Sequence, residues 1–151
     1  MDVKSAERSE PGLVSLLMQL SKALNRRASE DLLGMRLKPY IALGYMRDHP
    51  GATQQELESA LFMDANAVVI LLNELEAAGQ SVRRRDPQDR RRHIVEMTAD
   101  GRRALERADR ARESLEDDIL AGLSSEERAT LRKLVRRALD GLQQPVAESR
   151  A

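Results

Sequence analysis

Apolar residues recur at helical intervals along almost the whole of this chain, and the period breaks once, between Ser81 and Met97. Leu13, Leu16, Leu17, Leu20 and Leu24 put one stripe on a first helix, about 12–32. Gly34 and Pro39 punctuate the next connection, and Pro39 suits the first turn of a second helix, where its missing N–H would be unpaired anyway. That helix carries Ile41, Leu43, Tyr45 and Met46 and stops at His49-Pro50-Gly51. Thr53-Gln54-Gln55-Glu56 reads as a capping box opening a short third helix to about Leu61. Phe62-Met63 forms a tight turn, Asp64 caps a fourth helix to Ala78, and Gly79 ends it in the left-handed conformation. Ser81–Arg85 and Arg92–Met97 then read as two short strands around the turn Asp86-Pro87-Gln88-Asp89.

Thr98 caps a long fifth helix, Ala99 to about Ala121, whose Ala104, Ala108, Ala111, Leu115 and Ile119 recur near 3.5 and predict a helix–helix seam. Ser124-Ser125-Glu126-Glu127 offers a second capping box, and the last helix carries Leu131, Leu134, Val135, Leu139 and Leu142. Residues 1–10 and 144–151 are polar and expected to fray. The fold class that follows is mainly α with a small β-hairpin: a helix-turn-helix with the hairpin as its wing, flanked by N- and C-terminal helices. The leucine stripes at the two ends need a partner, and a second copy of the chain supplies one in a symmetric homodimer. The expected division within one domain of 151 residues is 12–33 and 105–142 for dimerisation and 38–98 for the winged lobe.

The formal net charge is zero, but the mean hides a pattern. Between Arg83 and Arg92 stand six arginines (83, 84, 85, 90, 91, 92) and two aspartates (86, 89), so this stretch carries +4 and the rest −4. Six arginines in ten residues repel one another unless something anionic meets them, and double-stranded DNA is the natural partner. Arg90 and Arg91 lie at the hairpin tip, where they suit a narrow A·T-rich minor groove, and Asp89 can hold one of them bidentately. Of the first-strand arginines, Arg84 is taken as the DNA-facing one, since residues alternate up a strand.

With Val68, Leu72 and Leu75 inward, the fourth helix turns Asn66, Ile70, Asn73 and Ala77 outward, with Val69 on the flank. In a major groove asparagine suits adenine and an apolar side chain suits the thymine methyl. Asn66, Ala67, Val69, Ile70 and Asn73 are therefore the candidate base-reading set. Lys38, Thr53, Gln54 and Gln55 lie at helix starts, where free amides favour phosphate oxygens.

Other chemistries find little support. There is no cysteine, which excludes disulfides, thiolate metal sites and cysteine nucleophiles. His49 and His93 lack metal-ligand spacing. No serine stands in a nucleophile elbow and no glycine loop cradles phosphate, so neither an enzyme nor a cofactor is expected. The longest apolar run, Ala67–Leu72, is far too short to span a bilayer, and the N-terminus lacks the apolar stretch of a signal peptide. A cytoplasmic protein without membrane contact is expected.

Two strings resemble the MarR family of bacterial transcription regulators. Arg85-Asp86-Pro87-Gln88-Asp89-Arg90-Arg91, followed by Met97-Thr98-Ala99-Asp100-Gly101, is similar to the family's wing signature, with Met97 for the usual leucine. Thr53-Gln54-Gln55-Glu56-Leu57 through Leu75-Glu76-Ala77-Ala78-Gly79 is similar to its helix-turn-helix. The helix order agrees over about residues 12–142. After Gly79 the family usually carries an apolar pair, where this chain has Gln80-Ser81, and its recognition helix usually shows serine or threonine with an arginine, where this chain has Asp64-Ala65-Asn66-Ala67-Val68-Val69-Ile70.

The resemblance implies a homodimer that represses from a near-palindromic operator, an Asp89–Arg91 pair in the wing, and release by a small phenolic or anionic effector bound between the lobes. Arg26, Arg36, Tyr40 and Tyr45 are the effector candidates; the alternative is that they pack and solvate the helix junction. A second reading of the whole chain is a winged-helix protein-interaction module without specific DNA reading, motivated by the apolar Ala67–Ile70 face and the zero net charge.

Overall fold

The structure is a computed structural model and describes residues 10–28 and 30–143. Its elements are α1 (Leu13–Arg27), α2 (Glu30–Leu33), α3 (Leu37–Asp48), α4 (Gln54–Leu61), α5 (Ala65–Ala77), β1 (Ser81–Arg85), β2 (His93–Met97), α6 (Ala99–Ile119) and α7 (Ser125–Leu142). The polar ends expected to fray lie outside the described residues, Glu10 apart.

The first helix is shorter than its leucine stripe predicts. Ala28 leaves helical geometry at ψ 77° while its N–H still donates to Leu24 O, and a single turn, α2, follows. The break has a packing cause. No described residue of α1 is buried, whereas Leu33 and Met35 are core residues, and the chain must turn to bring them inward. Gly34, at φ +76°, supplies the left-handed step next to them.

The core gathers Ala42, Leu43 and Met46 of α3, Leu57 of α4, and Val68, Leu71, Leu72 and Leu75 of α5. On α4, Thr53 Oγ1 accepts from Glu56 N–H at 3.1 Å, but only this half of the expected capping box forms. Thr53 also stands opposite Ile94 in an isolated antiparallel bridge, beside the bond from Val95 N–H to Ala52 O. The hairpin is thereby tied to the start of α4. Phe62 takes the left-handed conformation at φ 53° in the turn, and Asp64 Oδ1 accepts from Ala67 N–H at 2.7 Å to start α5.

At the end of α5, Gln80 N–H bonds Leu75 O and Gly79 N–H bonds Glu76 O, with Gly79 at φ +72°. This is the double closure that a left-handed glycine permits. β1 and β2 pair antiparallel from Ser81↔Met97 to Arg85↔His93. Arg92 falls outside the second strand because its N–H turns back to Asp89 O, while its carbonyl accepts from Asp86 N–H.

Thr98 Oγ1 caps α6 by accepting from Gly101 N–H and also donates to Gly79 O at 2.7 Å. A Cβ on residue 101 would collide with the Gln80 carbonyl oxygen, so only glycine fits the crossing of α6 over the base of β1. The predicted α6 seam forms within the protomer: Ala104, Leu105, Ala108 and Leu115 are buried in the core, and α6 packs against α1, α2 and α3. α7 opens with a full capping box at Ser124 and Glu127 yet has no buried residue. Leu13, Leu16, Leu17 and Leu20 of α1 and Leu134, Val135, Leu139 and Leu142 of α7 remain exposed.

Candidate nucleic-acid interface

α5 presents one side to the core and the opposite side to solvent. Asn66, Ile70, Asn73 and Ala77 are exposed, Ile70 by 61%, while Ala67 and Val69 are half-buried between the two faces. An isoleucine this open at the centre of an outward helix face gains nothing from water, but it matches an apolar base edge.

Asn73 is less free than its exposure suggests. Its Oδ1 accepts from Arg83 Nη2 at 2.6 Å. The same guanidinium grips Glu76 with two bonds, Nε to Oε1 at 2.8 Å and Nη2 to Oε2 at 3.0 Å. The Arg83 bond, set against burial, holds the Glu76 carboxyl below the usual range. The adenine reading of Asn73 needs both the oxygen and the nitrogen of the amide, and here the oxygen is turned toward Arg83. Sequence reasoning missed Arg83 and Glu76 as organisers of this face. They lie on different elements, and no helical or strand period relates them.

The wing is built from its two aspartates. Asp86 Oδ1 accepts from Gln88 N–H at 2.9 Å and Asp89 Oδ1 from Arg91 N–H at 3.1 Å, which fixes both corners of the turn. Asp89 also takes Arg91 Nε at 3.1 Å and Nη2 at 3.3 Å, the bidentate pair expected of it, with Arg92 Nε at 3.5 Å beside them. Arg91 lowers the Asp89 carboxyl pKa accordingly. The Arg91 side chain is still 91% exposed, so the pair aims it without covering it. Arg90 is exposed at the tip, and its carbonyl is held by Arg85 Nη1 at 2.7 Å. Arg84 instead pairs with Glu96 across the strands at 2.8 Å, which offsets its charge.

The phosphate candidates separate by exposure. Lys38 and Gln55 are exposed and Gln54 is half-buried. Thr53 is only 9% exposed and its hydroxyl oxygen already serves as the α4 cap.

The four effector candidates are not brought together. Tyr40 and Tyr45 line a cleft of about 550 Å³ where α3 and α4 face α6 and α7. Arg36 instead bonds Glu74 at 2.7 Å, and Arg26 lies in a separate groove with Gln19, Lys22 and Arg27. Within the cleft, Asp109 Oδ1 accepts from the Tyr40 hydroxyl and Oδ2 from Arg47 Nη1, each at 2.6 Å. Burial and the Asp109 contact push the Tyr40 phenol up to about 12. Burial pushes the Asp109 carboxyl up, but the bonds from Tyr40 and Arg47 outweigh it and the net shift is downward. Tyr45 stacks on His49 with ring centroids 4.1 Å apart, and His49 ends α3 as a turn residue. Among the described residues no group of histidine and carboxylate side chains could hold a metal ion, and no helix is long and apolar enough to cross a membrane.

Comparison with known proteins agrees with this geometry. A family model described as MarR family matches residues 33–92. The chain is 38% identical over 98 residues to a candidate transcriptional regulatory protein for the hcr operon of Thauera aromatica, covering 65% of this chain and 59% of that one. It is 29% identical over 124 residues to the transcriptional regulator HosA of Escherichia coli O111:H-, covering 82% and 92%. Among solved structures, a mutant MarR from E. coli complexed with operator DNA superposes with TM-score 0.73 at 25% identity, over 84% of this chain and 93% of that one. The PcaV transcriptional regulator from Streptomyces coelicolor, in complex with its natural ligand, superposes with TM-score 0.70 at 27% identity, over 88% and 94%. Residues 33–92, which hold the capped helix-turn-helix and most of the arginine-tipped hairpin, match the MarR family, and the chain is similar over most of its length to MarR transcription regulators.

Proposed function

We propose that this protein is a homodimeric repressor that binds a near-palindromic, A·T-leaning operator and releases it when a small molecule enters the cleft beside Tyr40 and Tyr45. The observation that carries the DNA reading is the wing tip: Arg91 is oriented by a bidentate carboxylate and yet almost wholly open to solvent. An arginine held in this way loses little freedom on entering a minor groove. Arg90 stands beside it, and Lys38, Gln54 and Gln55 supply phosphate contacts. Asn66 reads adenine, while Ile70 and Val69 meet thymine methyls.

The exposed leucines of α1 and α7 support the dimer. A lone protomer would leave them as an apolar patch larger than soluble monomers usually carry. Residues 12–33 and 105–142 are assigned to that interface and 38–98 to the DNA lobe. The PcaV complex with its natural ligand supports effector control by analogy. Here the ligand would be a small phenolic or anionic compound.

Selection from randomised duplexes tests the reading. The wild type should enrich an inverted repeat with half-sites about 10 base pairs apart, centre to centre. Asn66→Ala should lose about 1–3 kcal/mol of discrimination at one pair per half-site and keep its nonspecific binding. A G·C-rich repeat, or unchanged preferences in the mutant, would refute the assigned face. The exposed Ile70 also fits a protein partner. Salt separates the two readings, because phosphate binding weakens with a slope of about −0.9 per phosphate neutralised and an apolar interface does not.

A further inference from the structure

The Arg83 cluster joins the first wing strand to the outward face of α5. A guanidinium has donors only, so the Asn73 atom 2.6 Å from Arg83 Nη2 must be the amide oxygen. Arg83 cannot swing away cheaply, since Glu76 holds it with two further bonds at 2.8 and 3.0 Å. The Asn73 carbonyl is therefore turned back toward β1, and the NH2 on the other branch of the same planar group points away from it. Asn73 is exposed on the side of α5 that also carries Asn66 and Ile70.

Reading adenine takes both halves of the amide at once, the oxygen accepting from N6 and the nitrogen donating to N7. With its carbonyl turned toward Arg83, Asn73 presents its NH2 rather than its oxygen to a base on the outward side of α5. In the major groove, guanine is the base whose edge carries two acceptors, N7 and O6, and no donor, while cytosine offers only a donor. We propose that Arg83, anchored by Glu76, fixes Asn73 as a reader that presents its NH2 and selects guanine, placing one G·C pair inside each otherwise A·T-leaning half-site. Asn73 is the specificity-determining residue and Arg83 a positioning residue. The inference rests on the DNA-binding reading above.

Selection from randomised duplexes, run in parallel on wild type and variants, tests it. Asn73→Asp keeps an oxygen for Arg83 and removes the NH2, so preference for guanine should fall about tenfold at one position per half-site and the rest of the repeat should persist. Arg83→Met frees the amide and should move that same position toward adenine. If Asn73→Asp fails to show a native thermal transition, Asn73→Ala serves in its place, with the same expected loss. The inference is overturned if the Asn73 variants leave every position unchanged, or if the position they alter reads A·T in the wild type. If the wild type enriches no motif at all, the DNA-binding reading itself fails, a result distinct from either of those.

Discussion

Ser81 stands 2% exposed at the start of β1, and its Oγ has no hydrogen-bond partner among the described residues. A buried hydroxyl left unpaired costs about 1–3 kcal/mol. Ser81→Ala is expected to raise stability by about 1 kcal/mol, seen as a higher urea midpoint with an unchanged slope. Tyr40 gives a second test at this scale. Its phenol is pushed up to about 12 by burial and by Asp109, so the folded state favours the neutral form. That contribution is complete below the ordinary tyrosine value of about 10 and is lost as pH rises toward 12. Melting temperatures measured from about pH 9 to 12 should fall for the wild type, and Tyr40→Phe should flatten that fall. An equal decline in both proteins would remove Tyr40 from the account.

At the scale of elements, the role proposed for the wing is to position the protein on DNA rather than to read its sequence. Changing Arg90 and Arg91 together to alanine should weaken binding to operator and random duplex alike. It should also flatten the salt slope by about 0.9 for each phosphate that the variant no longer neutralises. Unchanged binding by the folded double mutant would displace the wing from the interface. The wing and its caps were legible in the sequence because their signals are local. Asp64, Thr98 and Ser124 each cap the helix that follows, and Gly79 adopts the conformation its place after α5 demands. The break after Arg27 was not legible, because the leucine spacing runs up to it without warning and only the pull of Leu33 and Met35 into the core turns the chain. The four effector candidates do not converge within the chain, although Tyr40 and Tyr45 share a cleft. Arg36 is captured by Glu74, and the Tyr40–Asp109–Arg47 group draws on two helices far apart in the chain.

For the whole molecule, the decisive quantity is how many chains make the folded unit. α7 has no buried residue of its own, and the leucines of α1 face outward with it. Sedimentation equilibrium should return twice 16.9 kDa at micromolar concentration. A charge at Leu134 or Leu139 should unfold the chain and leave no folded monomer. A stable species of single mass would set aside the dimer and the inverted repeat with it.

The close approach of Gly101 to the Gln80 carbonyl has a mechanical meaning. No Cβ separates α6 from the root of β1 there, and Thr98 clasps Gly79 across the same corner. Flexible side chains absorb small displacements by changing rotamer, and residue 101 has none to change. The root of the hairpin is therefore held directly against α6. Asp109 of the same helix stands in the cleft with Tyr40, so one corner joins the helix that lines the proposed effector cleft to the hairpin that carries Arg90 and Arg91.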